Sequence, residues 1–148
     1  TTMRTASGHV HIGGFATDDP LGDDHMVRCA ILAKQLDAYL GLTSLYWDKD
    51  KTRRAMYGMA GAFRPKPYGM EYRVLSNAWL LTEARQRFVF NQTIKAVEDL
   101  MAGHRSADKI GENNLIKIIN KSDFHSADHH LRYTVPGGID MRQAALEL

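Results

Sequence analysis

The sequence predicts an α+β domain in which helices pack against a small sheet. Two short runs with strand character, residues 3–12 and 68–75, are each followed by a long stretch with apolar residues at helical spacing. The chain has 148 residues, 44% of them hydrophobic and 24% charged, so we expect one domain over residues 1–148 with a real core.

The two strands are separated by segments that are harder to assign. The first strand is closed by Gly13 and Gly14. Residues 42–47 are apolar and fit either a strand or a continuation of the preceding helix. Residues 48–67 are predicted to be a loop, since their second half is rich in glycine and proline.

The helices have recognisable start and stop signals. Asp23 or Asp24 can cap a helix that runs to Leu40, and Ser76 or Asn77 can cap a long second helix. The predicted helices cover residues 23–40, 79–101, 112–120 and 123–132, with a short tail helix after a Pro-Gly-Gly turn at 136–138.

The composition argues against several classes of function. A formal net charge of +2 is too small to indicate nucleic-acid binding. The sequence has no apolar stretch of membrane-spanning length and no signal-peptide pattern. Cys29 is the single cysteine, in an apolar helical run where a buried packing residue is expected. We therefore expect a cytoplasmic protein that binds neither nucleic acid nor membrane.

The sheet predicted from these strands is small. Two or three strands are fewer than a stable sheet usually contains, and an open strand edge pairs readily with another chain. We therefore expect that another protein segment completes the sheet and that the protein forms an oligomer.

Two pairs of polar residues lie on the strands at a spacing of two. Residues two apart on a strand face the same side, so His9 and His11 project together, as do Glu71 and Arg73. Imidazole and carboxylate groups bind cations, whereas a guanidinium matches phosphate oxygens. A nucleoside triphosphate with magnesium needs both kinds of ligand side by side.

Each pair also has a simpler explanation, namely half-buried histidines and a cross-strand salt bridge. The neighbouring glycines favour a site instead. Gly8, Gly13 and Gly14 bracket the histidines, and Gly69 precedes Glu71. Glycine in or beside a strand commonly marks the close approach of a ligand or another backbone. Both pairs are therefore predicted to belong to one metal- and phosphate-binding site.

The segment before the second strand contains a group of cationic residues. They are Lys49, Lys51, Arg53, Arg54, Arg64 and Lys66. A solvated basic loop is the simpler interpretation, and a clamp on phosphates or a substrate carboxylate is the functional one. Arg64 is the strongest candidate because Pro65 and Pro67 stiffen its connection to the strand of Glu71, and electrostatic catalysis requires rigid positioning.

A third cluster consists of His125, Asp128, His129 and His130. His125 and His129 are four residues apart on a predicted helix, a spacing that can bind zinc. The glutamate of the zinc-protease motif is missing, because Ser126 follows His125. We interpret this cluster as histidines on a helix surface.

Two motifs resemble those of a known family. They are Arg4-Thr5-Ala6-Ser7-Gly8-His9-Val10-His11-Ile12-Gly13 and Arg64-Pro65-Lys66-Pro67-Tyr68-Gly69-Met70-Glu71-Tyr72-Arg73, the second followed by Leu75-Ser76-Asn77. Over roughly residues 3 to 100 the chain resembles the carboxylate–amine ligases of the glutamine synthetase and glutamate–cysteine ligase superfamily. Within it, the chain looks most like the phage-encoded amidoligases, which would work in the host cytoplasm.

The resemblance implies a fold and a reaction. In that family an antiparallel sheet forms a cup that holds ATP and divalent metals. ATP phosphorylates a carboxylate, and an amine then displaces phosphate to give an amide. The implied fold is part of such an antiparallel sheet with helices on one face, like the catalytic half of glutamine synthetase. The implied cofactors are ATP and Mg2+, and the implied substrates are a small-molecule or peptide carboxylate and an amine.

The resemblance also implies roles for individual residues. His9 or His11, together with Glu71, matches the metal ligands. Arg73 matches the arginine that contacts the transferred phosphoryl group, and Arg64 is expected on phosphate or substrate carboxylate. The complete set predicted to bind the nucleotide is Arg53, Arg64, Lys66 and Arg73.

One departure from the family pattern concerns acidic residues. Family members carry earlier strands whose paired acids hold the metals, whereas the acids at positions 18, 19, 23 and 24 follow the histidine strand. We therefore interpret the chain as the C-terminal half of such a ligase, within a longer or split enzyme. The alternative is a non-catalytic structural or assembly protein that retains the fold. A barrel-type metal hydrolase is disfavoured, since such barrels need about 250 residues.

Overall fold

The sheet of the protein is built from three short strands. The computed structural model describes residues 8–56 and 58–148. The strands are β1 (Val10–Gly13), β2 (Phe63–Lys66) and β3 (Gly69–Tyr72). They form an antiparallel sheet in the order β1-β3-β2, so that β3 is central. The predicted α+β class is confirmed, while residues 3–7 of the first predicted strand lie outside the described residues.

Helices make up most of the rest of the described chain. They are α1 (Asp23–Leu36), α2 (Leu42–Ser44), α3 (Lys51–Met56), α4 (Glu83–Met101), α5 (Ser106–Ile110), α6 (Glu112–Asn120), α7 (Phe124–Tyr133) and α8 (Gly138–Leu146). A π-helical turn, Asp37–Gly41, joins α1 to α2, and a 3-10 helix, Asn77–Leu81, precedes α4. Within the described ranges, none of the helices has the length and apolar character to cross a membrane.

The first helix does not end where its sequence suggests. Gly41 keeps helical angles (φ −61°, ψ −50°), and the chain continues through it into α2. The apolar segment 42–47 therefore begins as a helical continuation. A side chain at Gly41 would lie 2.6 Å from Cδ1 of Ile119 on α6. This glycine thus allows two helices to approach closely, a role that the sequence cannot distinguish from a helix stop.

The predicted loop over residues 48–67 is wrong in two places, because it contains α3 and β2. Pro65 lies within β2 and obscures it in the sequence. Proline has no N–H to donate, but an edge strand such as β2 leaves half of its backbone groups without a strand partner, so proline is tolerated there. The error matters because β2 carries Arg64 and Lys66.

The second half of the chain follows the prediction more closely. Predicted helices at 112–120 and 123–132 and the tail helix are confirmed to within about a residue, whereas α5 was not predicted. The long helix begins later than expected. Ser76 Oγ caps the 3-10 helix by accepting from Ala78 N at 3.0 Å, and Thr82 Oγ1 caps α4 by accepting from Arg85 N at 3.1 Å.

One face of the sheet is apolar and packs against α1. Met70 and Tyr72 of β3 are completely buried on this face. The carbonyl oxygen of Gly69 accepts a hydrogen bond from His25 of α1 at 2.8 Å and a weaker one from the Cys29 thiol at 3.7 Å. Cys29 is buried, as predicted, and burial raises the pKa of its thiol. Alternate residues of the strands consequently face the other side.

A buried polar contact ties β3 to the helices. Tyr72 donates its hydroxyl hydrogen to Asp37 Oδ1 at 2.6 Å. Burial raises the pKa of Asp37 to about 7, and hydrogen bonds from Tyr72 and Gly61 and the charge of Arg54 oppose that shift only in part. Arg54 belongs to the cationic group noted in the sequence, but it is buried and donates to Ser44 Oγ at 3.0 Å.

The raised pKa of Asp37 predicts a pH-dependent stability. Between about pH 4 and pH 7 the folded chain keeps this proton, whereas the unfolded chain, near the ordinary value of 3.8, loses it. Stability should therefore fall as pH rises through this window. The Asp37→Asn side chain keeps an oxygen that can accept from Tyr72 but does not titrate. The urea midpoint of this variant, measured by circular dichroism, should therefore change less with pH than that of the wild type. Asp140→Asn, at an exposed position on α8, is the control; equal pH slopes in all three proteins would contradict the assignment.

Candidate functional site

The polar face of the sheet gathers side chains from all three strands. Glu71 of β3 lies opposite His11 of β1 on one side and Arg64 of β2 on the other. Lys66 follows Arg64 at a spacing of two and therefore shares this face. The strand pairing thus brings residues that are far apart in the sequence into one row.

Two further residues reach the same carboxylate from just beyond the strand ends. Nδ1 of His9, which precedes β1, is bonded to Glu71 Oε1. Arg73, which follows β3, places its NH1 3.6 Å from the same oxygen, and Lys66 Nζ is 3.6 Å from Oε2. We call the six residues of this face the sheet-face cluster: His9, His11, Arg64, Lys66, Glu71 and Arg73.

Glu71 is ionised at the centre of this cluster. Its side chain is only 5% exposed, and burial alone would raise its pKa. The positive charges of His9, Arg73 and Arg64 outweigh burial and lower the pKa of this carboxyl. For His9, burial is the largest effect and lowers its pKa despite the attraction of Glu71. His9 and the two arginines together hold Glu71 ionised although its carboxyl is buried.

The cluster carries an excess of positive charge. Arg64, Lys66 and Arg73 are cationic at neutral pH, and within the cluster only Glu71 opposes them. NH1 of Arg73 is buried and has no hydrogen-bond partner among the described residues. A buried guanidinium nitrogen without a partner is costly unless a ligand satisfies it. The arrangement therefore fits an anion with several oxygens, such as a phosphate group.

A metal ion fits the described residues less well. Nowhere in residues 8–56 and 58–148 do three or more His, Cys, Asp or Glu side chains form a group that could hold one. Glu71 is already in contact with His9, Lys66 and Arg73. Magnesium prefers an octahedron of oxygen ligands. On the described residues, the cluster does not form a metal site of its own.

Arg53 was predicted to bind the nucleotide with the other cations. Its guanidinium donates to the carbonyl oxygens of Val74 at 3.2 Å and Leu75 at 2.9 Å. These bonds connect α3 to the segment that follows Arg73. In this structure Arg53 therefore supports the backbone next to the cluster.

The histidine cluster on α7 is engaged in helix contacts. Asp128 accepts from Tyr46 Oη at 2.6 Å, from Arg132 Nε at 2.7 Å and from Arg142 Nε at 2.6 Å. His130 Nδ1 is 2.9 Å from Thr134 Oγ1. These contacts agree with the interpretation of a helix surface rather than a zinc site.

Sequence reasoning overlooked Tyr68 as a site residue. Its hydroxyl is hydrogen-bonded to Nδ1 of His11, and the two ring centroids are 6.0 Å apart. Tyr68 lies between Lys66 and Gly69, which are paired across a two-residue turn. If Phe63–Lys66 had been predicted as a strand, the sequence would also have predicted the tight hairpin between β2 and β3, with Tyr68 at its tip.

Comparison with known families adds evidence that is independent of this geometry. A family model described as phage phiEco32-like COOH.NH2 ligase-type 2 matches residues 3–137. Comparisons with curated proteins and with solved structures found no significant match. The matched segment contains both motifs and the whole sheet-face cluster, and the family's description is that of a carboxylate–amine ligase. The chain therefore belongs to the phage phiEco32-like COOH.NH2 ligase-type 2 family.

Proposed function

We propose that this chain forms the phosphate-binding side of an ATP-dependent carboxylate–amine ligase. The enzyme would activate a small-molecule or peptide carboxylate as an acyl phosphate and transfer it to an amine. The observation that carries this proposal is the buried NH1 of Arg73, which has no hydrogen-bond partner among the described residues and lies in a cluster of excess positive charge. The family match supports the reaction class.

The geometry of the cluster suits phosphoryl transfer. In such a reaction negative charge spreads over three phosphoryl oxygens, and catalysis is mostly positioning and charge stabilisation. Arg73 stands at the end of the central strand, and Arg64 and Lys66 stand on the neighbouring strand. Strands hold their side chains in fixed positions, so these cations would need little reorganisation when the charge develops.

Glu71 has two tasks in this proposal. Its carboxylate holds Lys66 and Arg73 near each other, and it is the carboxylate of the cluster that could contact a magnesium ion. His9 is the other proposed metal contact, because Nδ1 of His11 is already bonded to the hydroxyl of Tyr68. The ion supplies neutralisation of phosphate charge when it is bound. Because Glu71 is the only oxygen ligand in this set, most of the remaining ligands would have to be phosphate oxygens, waters or groups outside the described residues.

We also propose that another protein segment completes the sheet beside β1, within a longer or split enzyme. β1 is an edge strand of the described sheet. Next to it, α4 carries an apolar stripe at helical spacing, formed by Phe90, Ile94, Val97 and Met101, of which Val97 is partly buried. Phe90 is 65% exposed and Met101 is 83% exposed. A strand edge beside an apolar stripe is a surface that an added strand would cover.

Two grooves mark where the side chains of such a strand would lie. One, of about 400 Å3, runs between Val10 and the first part of the stripe. The other, of about 530 Å3, runs between Ile12 and the last part. The stripe spans roughly 16 Å along the helix, about the length of five strand residues. An added strand would thus cover the stripe and border the histidines of β1 on the polar face.

Arg73→Ala tests the proposed role of the cluster. The variant should fold, since the Arg73 side chain is 31% exposed. Loss of one such charge contact costs about 3 kcal/mol in the transition state, roughly a hundredfold in rate. We expect weaker ATP binding in calorimetry and little ADP release with panels of carboxylates and amines.

The matched control for this test is Arg87→Ala, which removes an exposed arginine of α4. It should bind ATP and release ADP like the wild type. Thermal unfolding of both variants shows whether the fold is retained. Normal ATP binding and turnover by a folded Arg73→Ala protein would refute the assignment.

Phe90→Glu tests the sheet-completing segment. The urea midpoint of the variant should change little, because Phe90 is largely exposed. A charge in the stripe should weaken association with the sheet-completing segment at least tenfold, because the charge would be buried there. Association is measured by sedimentation velocity and native mass spectrometry. Tyr133→Glu, at an exposed position of α7, is the control. A wild-type chain that is monomeric and fully active alone would contradict the proposal.

A further inference from the structure

The contact between Tyr68 and His11 joins the turn before β3 to the neighbouring strand β1. Tyr68 is the second residue of the two-residue turn between β2 and β3. Its hydroxyl nevertheless bonds to Nδ1 of His11 on β1. The two rings are tilted by 31° with their centroids 6.0 Å apart. A residue at the hairpin tip thus contacts the sheet-face cluster from beside the start of β3.

Two glycines lie between the turn and His11. Gly13 and Gly69 are paired in the strand register beside the row that contains His11. Neither has a side chain that would stand between the phenol ring and the imidazole. Gly69 has φ +155°, and a Cβ there would lie 2.0 Å from the carbonyl oxygen of Ile12. Position 69 therefore excludes any side chain, because the backbone of β1 lies too close.

We propose that Tyr68 is a positioning residue that fixes the tautomer of His11. The phenol donates its hydrogen to Nδ1, which places the ring hydrogen on Nε2 and makes Nε2 a donor to an oxygen of the bound phosphate group. The inference rests on the proposed function, since it names a further hydrogen-bond donor at the same phosphate site.

The direction of this hydrogen bond follows from the chemistry of the two groups and their surroundings. A neutral imidazole has one donor and one acceptor nitrogen, so a hydroxyl that donates to Nδ1 requires a hydrogen on Nε2. Nε2 makes no hydrogen bond to the described residues. The cations of the cluster attract an anion, whose oxygens accept hydrogen bonds. With the opposite tautomer, the Nε2 lone pair would meet these oxygens unfavourably.

Tyr68 would therefore act through His11 rather than touch the reacting atoms. Without the hydroxyl, Nδ1 and Nε2 would share the hydrogen in proportions set by water, and the Nε2 donor would be present only part of the time. Loss of a hydrogen bond to a charged group typically weakens an interaction about tenfold. We expect a reduction of about fivefold to tenfold in ATP affinity, without a change in fold.

The test compares wild type, Tyr68→Phe and Tyr133→Phe. Tyr133 is the matched control, since its ring also lies close to a histidine, His129, at 5.1 Å between centroids, but on α7. The ring nitrogens are labelled with 15N, and their chemical shifts identify the His11 tautomer. ATP and inorganic phosphate are then titrated by calorimetry. We expect the Nε2–H tautomer in wild type and control, and mixed tautomers with weaker binding in Tyr68→Phe.

Each other result would overturn the inference in a recognisable way. An Nδ1–H tautomer in the wild type, or an unchanged tautomer in Tyr68→Phe, shows that Tyr68 does not set the state of His11. If the wild type binds ATP and Tyr68→Phe binds it equally well, this inference alone fails. If the wild type binds neither ATP nor phosphate, the proposed function fails and this inference fails with it.

Discussion

The buried carboxylate of Glu71 is the contact on which the polar face of the sheet depends. Lys66 and Arg73 would repel each other if no opposite charge lay between them. Glu71 lies 3.6 Å from both and is also bonded to His9. A single shared counter-charge thus holds cations from two strands together. Because the cations outnumber it, the cluster keeps a net positive charge, and its side chains are held in place without a bound ligand.

The position of Glu71 is in turn determined by the core. Residues alternate along β3, so Met70 and Tyr72 are buried against the helices while Glu71 faces the other side. A shift of one residue in register would exchange these faces and place a carboxylate in the core. The bond between Tyr72 and Asp37, and that between His25 and the Gly69 carbonyl, oppose such a shift. The packing of the core therefore fixes the register of β3, and with it the position of Glu71 on the polar face.

Sequence reasoning succeeded where the physical signal was local and failed where it was not. The spacing of two placed Glu71 and Arg73 on one face, and helical spacing located α1. Pro65 hid an edge strand, because proline is a loop signal unless the neighbouring strand is known. Gly41 was taken for a helix stop, although its role is to admit Ile119 of a distant helix.

The sequence by itself determined the α+β class, the two motifs and, through them, the ligase family. The sequence also determines which residues of one strand share a face, since that follows from the geometry of a single strand. Only the tertiary structure decided that Arg64 stands beside Glu71, that Arg53 binds backbone carbonyls and that Tyr68 reaches His11. Each of these contacts joins segments that are distant in the chain. They form because the packing of the buried sheet face on the helices fixes the register of the strands.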